Sequence, residues 1–246
     1  MSTSLQAILR KLSEPNADTG HWLERLRSDA LKTISSRDYP STKEESWKYT
    51  SLHTLKKNDY LIADEHNSGG LLKKIYSRDD FLEADKLHLV FINGFFQPDL
   101  SSDELLQNGI NIRPTATEKA DEKYNLETIL KTDLTETFSA LNILTLCDSL
   151  LIEVEKNRII DKVIKLIFIG ESPEPLLKSL RIIVKMNENS EARIVEEYRS
   201  HDKDMGFTNV VTNLRLGQNS TLYHHRLQIE SMNTCLLYTS PSPRDS

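Results

Sequence analysis

The sequence predicts an α+β chain: a mainly helical N-terminal domain over residues 1–145, followed by a mainly β core that begins near residue 146. Three observations predict it. Apolar residues in the first forty positions recur at the 3.6-residue spacing of amphipathic helices. From Leu150 onward they come instead as short runs rich in branched aliphatics, separated by polar turns. No helix-period segment interrupts those runs, which excludes a doubly wound parallel sheet and leaves a sandwich or a β-solenoid. Spacing alone does not choose between the two.

Leu5, Ile8, Leu9 and Leu12 form the first apolar stripe, which Pro15 stops. Trp22, Leu23, Leu26, Ala30 and Ile34 form the second, ended at Asp38-Tyr39-Pro40 because a residue before proline is pushed out of the helical region. Residues 64–70, with Asn67-Ser68-Gly69-Gly70, read as a linker. Leu87 to Ile92, then Asn93-Gly94, then Phe95-Phe96 reads as a β-hairpin within 87–97, since both turn residues tolerate positive φ. Helix period returns over Asn125–Leu146, on Leu126, Ile129, Leu130, Leu134, Phe138 and Leu141.

Six strands are expected in the core: Leu151–Val154, Val163–Ile169, Ile182–Met186, Arg193–Val195, Val210–Leu216 and Leu222–Ile229. Side chains alternate across a strand, so the apolar set Tyr223, His225, Leu227 and Ile229 is expected to point inward. Cys235 to Ser246 is read as a non-native tail. It resembles a translated sequencing adaptor, and Pro241 and Pro243 would break a ladder.

Composition narrows the class of function. The 246 residues carry a formal charge of −6, with 38% hydrophobic and 28% charged residues, enough apolar material for a core. No basic run is longer than pairs such as Lys56-Lys57 and Lys73-Lys74, which argues against nucleic acid as partner. No apolar stretch approaches membrane-spanning length and the first residues lack a signal-peptide layout, so a cytoplasmic protein is expected. Two cysteines, Cys147 and Cys235, make neither a disulfide framework nor a zinc site.

The chemistry-bearing residues read blandly. His224 and His225 are adjacent and so face opposite sides of a strand, which suits one core and one surface histidine better than a shared metal. Cys147 lacks a second thiol or basic neighbour and reads as a small buried hydrophobe. Glu44-Glu45 reads as solvated or paired with Lys43 or Lys48, and Trp47 and Tyr49 as aromatics pinning their segment to the core. No phosphate-binding Gly-x-x-x-x-Gly-Lys-Ser/Thr loop occurs. No residue is assigned a catalytic, cofactor-binding or metal-ligating role.

The segment Pro40-Ser-Thr-Lys43-Glu44-Glu45-Ser-Trp47-Lys48-Tyr49-Thr50-Ser-Leu52 resembles the signature of the SufD family, a Pro followed by Glu-x-Trp-Lys-Tyr-Thr-x-Leu. Val90–Phe95 with Leu100-Ser101, then Phe138–Asn142 with Asp148 and Ile152–Val154, resemble later family stretches in the same order. Glu196-Glu197-Tyr198, Asn209 and Asn219–Glu230 also fit. The chain departs from the family at Asp148-Ser149, where Asp-Gly is usual.

The resemblance implies a helical N-terminal domain followed by a right-handed parallel β-helix, of which 146–233 is the truncated start. It also implies a non-catalytic scaffold subunit of the SUF iron–sulfur cluster assembly machinery. Its expected partners are a homologous SufB-type subunit and a SufC-type ATPase, and an iron–sulfur cluster or iron is expected only in the full complex. The rival is a secreted or cytosolic β-helix or cupin-like enzyme acting on a polysaccharide or small metabolite. That reading requires several carboxylates or a His-x-His set on one face, and the strands show neither.

Overall fold

The computed structural model describes residues 4–12, 21–35, 37–64, 76–81, 83, 85–103, 109–114 and 136–239. Helices α1 (Ser4–Lys11), α2 (His21–Ser35) and α3 (His53–Lys57) come first, with a 3₁₀ turn at Glu45–Trp47. Strands β1 (Leu61–Ile62), β2 (Lys86–Ile92), β3 (Phe95–Phe96) and β4 (Ile110–Pro114) follow, then helix α4 (Thr137–Leu144). Seven strands complete the chain: β5 (Leu146–Val154), β6 (Val163–Gly170), β7 (Leu176–Met186), β8 (Glu191–Ser200), β9 (Phe207–Leu216), β10 (Thr221–Ile229) and β11 (Cys235–Thr239). Most of the 64–70 loop, and Leu126, Ile129, Leu130 and Leu134, lie outside the described residues.

Alternate strands stack in parallel. β5, β7, β9 and β11 form sheet A, and β6, β8 and β10 form sheet B. The chain winds through three turns, β5–β6, β7–β8 and β9–β10. Parallel pairing of every second strand is the mark of a solenoid, whereas sandwiches pair antiparallel neighbours. The fold-class expectation is met, and the choice that spacing left open is resolved.

All six expected strands form. β2 pairs in parallel with β6 and β4 antiparallel with β5, so both sheets extend into the segment read as mainly helical with a β-hairpin at 87–97. Their unpaired edges find partners in the solenoid. The strand rhythm also continues past Asn233: Cys235–Thr239 pairs with Phe207–Val211, because the expected breakers Pro241 and Pro243 come after Thr239.

The hairpin at Asn93-Gly94 is as read, pairing Phe91 with Phe96 and Ile92 with Phe95. Its two turn residues have φ of 46° and 94°, the sign a type I′ turn demands. A methyl group on Gly94 would approach the Cβ and Sγ of Cys147 at 3.1 Å.

Three apolar layers follow from strand alternation. The helices bury Leu5, Ile8, Leu23, Leu26, Ala30 and Ile34 against the outer face of sheet A. The lumen between the sheets holds Leu89, Ile152, Leu166, Leu180 and Val210, with a column of rings. That column runs Phe96, Phe91, Phe168, Tyr198, at centroid spacings of 5.4, 5.1 and 4.8 Å. On the outer face of sheet B, Phe81 and Leu100 cover Val90, Ile92, Ile167 and Ile169.

Helix α4 is bonded to sheet A as well as packed on it. Asn142 Nδ2 donates to the carbonyls of Leu180 and Asn209 at 2.9 Å each, and Asn209 Nδ2 donates back to the Phe138 carbonyl at 2.9 Å. At one corner of successive turns, Asn157, Asn189 and Asn219 all take left-handed φ, 59°, 54° and 56°. Their amides form a ladder, Asn189 to Asn157 at 2.9 Å and Asn219 to Asn189 at 3.3 Å.

The face of β10 is the reverse of the expectation. Parallel stacking sets Leu222 beside Ala192, His224 beside Ile194, Arg226 beside Glu196 and Gln228 beside Tyr198, so these four continue the lumen face. Tyr223, Leu227 and Ile229 lie outside, 47%, 47% and 57% exposed. Register with the preceding turn decides which face is inside, and it outweighs the apolar count of a single strand.

Candidate functional site

The polar groups that could carry chemistry gather in the lumen, in two places. In the first, Glu196 of β8 is completely buried. Its carboxylate accepts from the Tyr198 hydroxyl at 2.6 Å and the Thr212 hydroxyl at 3.2 Å, and His224 Nε2 lies 2.9 Å away. A buried carboxylate is tolerable only when its oxygens are occupied in this way. Burial, and then the Glu196 charge, pushes the Tyr198 phenol well above its ordinary range. Beyond it, the Arg226 guanidinium lies 4.0 Å from the centre of the Tyr238 ring.

The second place is the corner joining sheet B to sheet A. Lys178 Nζ of β7 sits 2.8 Å from Asp204 Oδ2, with both side chains out of solvent. Asp204 Oδ1 also accepts from the Ser172 backbone N–H at 3.1 Å. Gly170 and Gly206 make the room: a methyl group on Gly206 would fall 2.3 Å from Lys178 Nζ, and one on Gly170 2.2 Å from Asp204 Oδ2. Burial raises the carboxyl pKa of nearby Glu230, and the Lys178 charge opposes the rise. The cleft beside this pair measures about 230 Å³ including open solvent, lined by Tyr198, Thr208 and Glu230 among others.

The residues singled out in the sequence end up apart. His224 faces the lumen and His225 faces solvent, so the pair divides between inside and outside, with the roles exchanged relative to the face expectation. Cys147 occupies a register shift in β5, between Leu146 and Asp148. Its sulfur accepts from Ser179 N–H at 3.3 Å, and burial pushes the thiol up to about 12, far from thiolate chemistry. Burial likewise raises Cys235 to about 11. Asp148, at the family departure, accepts from Phe96 N–H at 3.2 Å and thereby ties β5 to the hairpin.

Trp47 does pin its segment, with its ring 5.2 Å from Phe138. Tyr49 does not; it is 93% exposed and lies under the Lys48 ammonium at 5.5 Å. Glu44 Oε1 accepts from Ser41 N–H at 2.8 Å and is otherwise a surface group. No group of three or more His, Cys, Asp or Glu residues is arranged to hold a metal ion among the described residues.

Lys178 and Asp204 are not marked out by the sequence, and Glu196 enters there only as part of a family-like stretch with no role of its own. Local pattern hides them, because a charge between aliphatics reads as an outward residue. One usable signal existed: the left-handed asparagines recur at separations of 32 and 30 residues, the period of one solenoid turn.

Comparison with known proteins supplies what the site alone does not. The family described as "SufBD protein N-terminal region" matches residues 10–166, and "SUF system FeS cluster assembly, SufBD core domain" matches residues 168–240. An iron-sulfur cluster assembly SufBD family protein from Synechocystis is 29% identical over 218 residues, which is 83% of this chain and 47% of that protein. The chloroplastic protein ABCI7 of Arabidopsis thaliana is 27% identical over 221 residues, 85% of this chain and 45% of that protein. The chain thus spans about half the length of the curated relatives it matches. With helices α2 to α4, the hairpin and nearly all of the solenoid inside the two matched regions, the chain belongs to the SufBD family of the SUF iron–sulfur cluster assembly system.

Proposed function

We propose that the chain serves as part of a SufD-type, non-catalytic scaffold subunit in iron–sulfur cluster assembly, pairing with a homologous SufB-type subunit and a SufC-type ATPase. The observation that carries the reading is the pair of adjoining family matches, over 10–166 and 168–240. The Glu45-x-Trp47-Lys48-Tyr49-Thr50 string favours the SufD-type assignment within the family.

The physical character of the molecule agrees with a scaffold. Helix layer and sheet are joined by the Asn142 and Asn209 amides, and the lumen polar groups are engaged with one another. Such a body offers a stiff extended surface rather than a deep pocket. In this reading the cluster is cargo of the assembled complex, and ATP hydrolysis belongs to the partner. The expected compartment is the cytoplasm; no helix among the described residues is long and apolar enough to cross a membrane.

Affinity purification of the tagged full-length parent from its own cells tests the proposal. SufB- and SufC-type proteins should co-elute in fixed proportion. A parent that elutes alone, under conditions where the homologous complex assembles, would refute it.

A further inference from the structure

A histidine lies sealed on the outer face of sheet B. His88 of β2 is 1% exposed, and neither ring nitrogen has a hydrogen-bond partner among the described residues. Its backbone is engaged on both sides: the N–H donates to the Ser102 hydroxyl at 2.9 Å, and the carbonyl accepts from the Ser102 N–H at 2.8 Å. The imidazole alone is left unbonded, on the face it shares by alternation with Val90 and Ile92. A buried polar group without a partner is costly, so this one calls for a reason.

The cover on this face is a strap made of residues 76–81 with Glu83 and Asp85. Phe81 is its apolar anchor, set with Leu100 against Val90, Ile92, Ile167 and Ile169, and Tyr76 packs on Phe81 at 5.7 Å. Glu83 is its ionic anchor. That carboxylate accepts from Lys165 Nζ at 2.9 Å, bonds Lys86 through its other oxygen, and stands 3.6 Å from His88 Nε2. Lys86 comes from His88's own strand and Lys165 from β6, where Lys165 also meets Glu197 of β8 at 3.0 Å. Asp79, Asp80 and Asp85 of the strap, and Asp103 beyond Ser102, are exposed. Both Glu83 oxygens are thus taken by ammonium groups, and a proton on His88 would set a third cation at one carboxylate. Burial, the main cause, holds the His88 pKa below its ordinary value; Glu83 opposes the fall, and Lys165 and Lys86 add to it.

We propose that His88 and the strap form a proton-operated latch: the neutral imidazole lets residues 76–85 close over sheet B, and a proton on His88 lifts them. The sealed ring cannot carry a charge without water or a free carboxylate, and lifting the strap is the local opening that admits water. Only this cover moves, because the strands beneath it are held by their own ladders. Closure is fully favoured above the open-state value of about 6.5 and is lost as pH falls below it. Glu83, held down to about 2, keeps its charge throughout that window.

Hydrogen exchange of the 246-residue chain between pH 7.5 and 5.5 tests it, with each rate divided by that of an unstructured reference peptide so that only opening is compared. Opening of residues 77–86 should rise at least about threefold across this range, one proton setting a ceiling of about tenfold per pH unit. Amides of α4 and sheet A should hold. His88→Leu, which removes the proton site and suits the apolar layer, should keep the strap closed at every pH. An NMR titration of the unaltered chain needs no variant: His88 should titrate below about 6.5. Phe81→Ala, which loosens the strap, should bring that value back up toward 6.5. Strap exchange that ignores pH, a pH dependence that survives His88→Leu, or a His88 titration at or above 6.5 would each overturn the proposal. So would a His88 titration that Phe81→Ala leaves unchanged.

Discussion

Removing the Asp204 carboxylate should be among the most damaging polar substitutions in the solenoid. Its partner Lys178 comes from 26 residues earlier, the two atoms lie 2.8 Å apart, and the side chains are 0% and 2% exposed. Asp204→Ala leaves an ammonium group sealed among Gly170, Gly206 and the lumen wall, and unpaired buried charges of this kind cost about 3–5 kcal/mol. In a chain of this size that corresponds to a fall in Tm of roughly 6–20 °C. The sharper measurement is a double-mutant cycle by urea denaturation. Lys178→Met with Asp204→Ala removes both charges and keeps most of the volume, so the double variant should be clearly more stable than the sum of the single losses predicts, by about 2 kcal/mol or more. Additive single losses, or an Asp204→Ala cost below about 1 kcal/mol, would show that the pair is not the buried, coupled element described.

Asn142→Ala should cost about 1–3 kcal/mol by stranding the Leu180 and Asn209 carbonyls, and hydrogen exchange should rise at the α4–sheet A contact before the lumen strands open. Both thiols should resist iodoacetamide at pH 8 in the folded chain and react once it is unfolded, because burial holds Cys147 near 12 and Cys235 near 11. Glu83 is held down to about 2 by hydrogen bonds from Lys86 and then Lys165. Its contribution is therefore present above its unfolded value of about 4.3 and lost as pH falls toward 2. Being well exposed, it is worth under about 1 kcal/mol. Glu83→Gln should flatten that acid limb slightly in thermal melts, and an unchanged limb would disprove the coupling.

Periodicity told most about elements that meet their neighbours nearby in the chain. The stripes of α1 and α2 point where their spacing says, with Leu5, Ile8, Leu26 and Ile34 out of solvent. Asn93-Gly94 turns the hairpin because only its own φ angles were needed, and Trp47 packs as its aromatic segment suggested. The failures share a cause. The inward face of β10, the strand at Cys235–Thr239 and the burial of Lys178, Arg181, Glu196 and Asp204 all depend on partners 16 or more residues away in sequence, such as Asn213 on Arg181 Nε at 3.0 Å.

By itself, then, the sequence determined the helix-then-strand layout, the hairpin and the family signature, since each is written in contiguous residues. Only the tertiary structure decided that the strands coil into a solenoid rather than a sandwich, which charges are buried, and that Tyr223, Leu227 and Ile229 face outward. Stacking register is a relation between turns about 30 residues apart, and a shift of one position exchanges every inward side chain for an outward one.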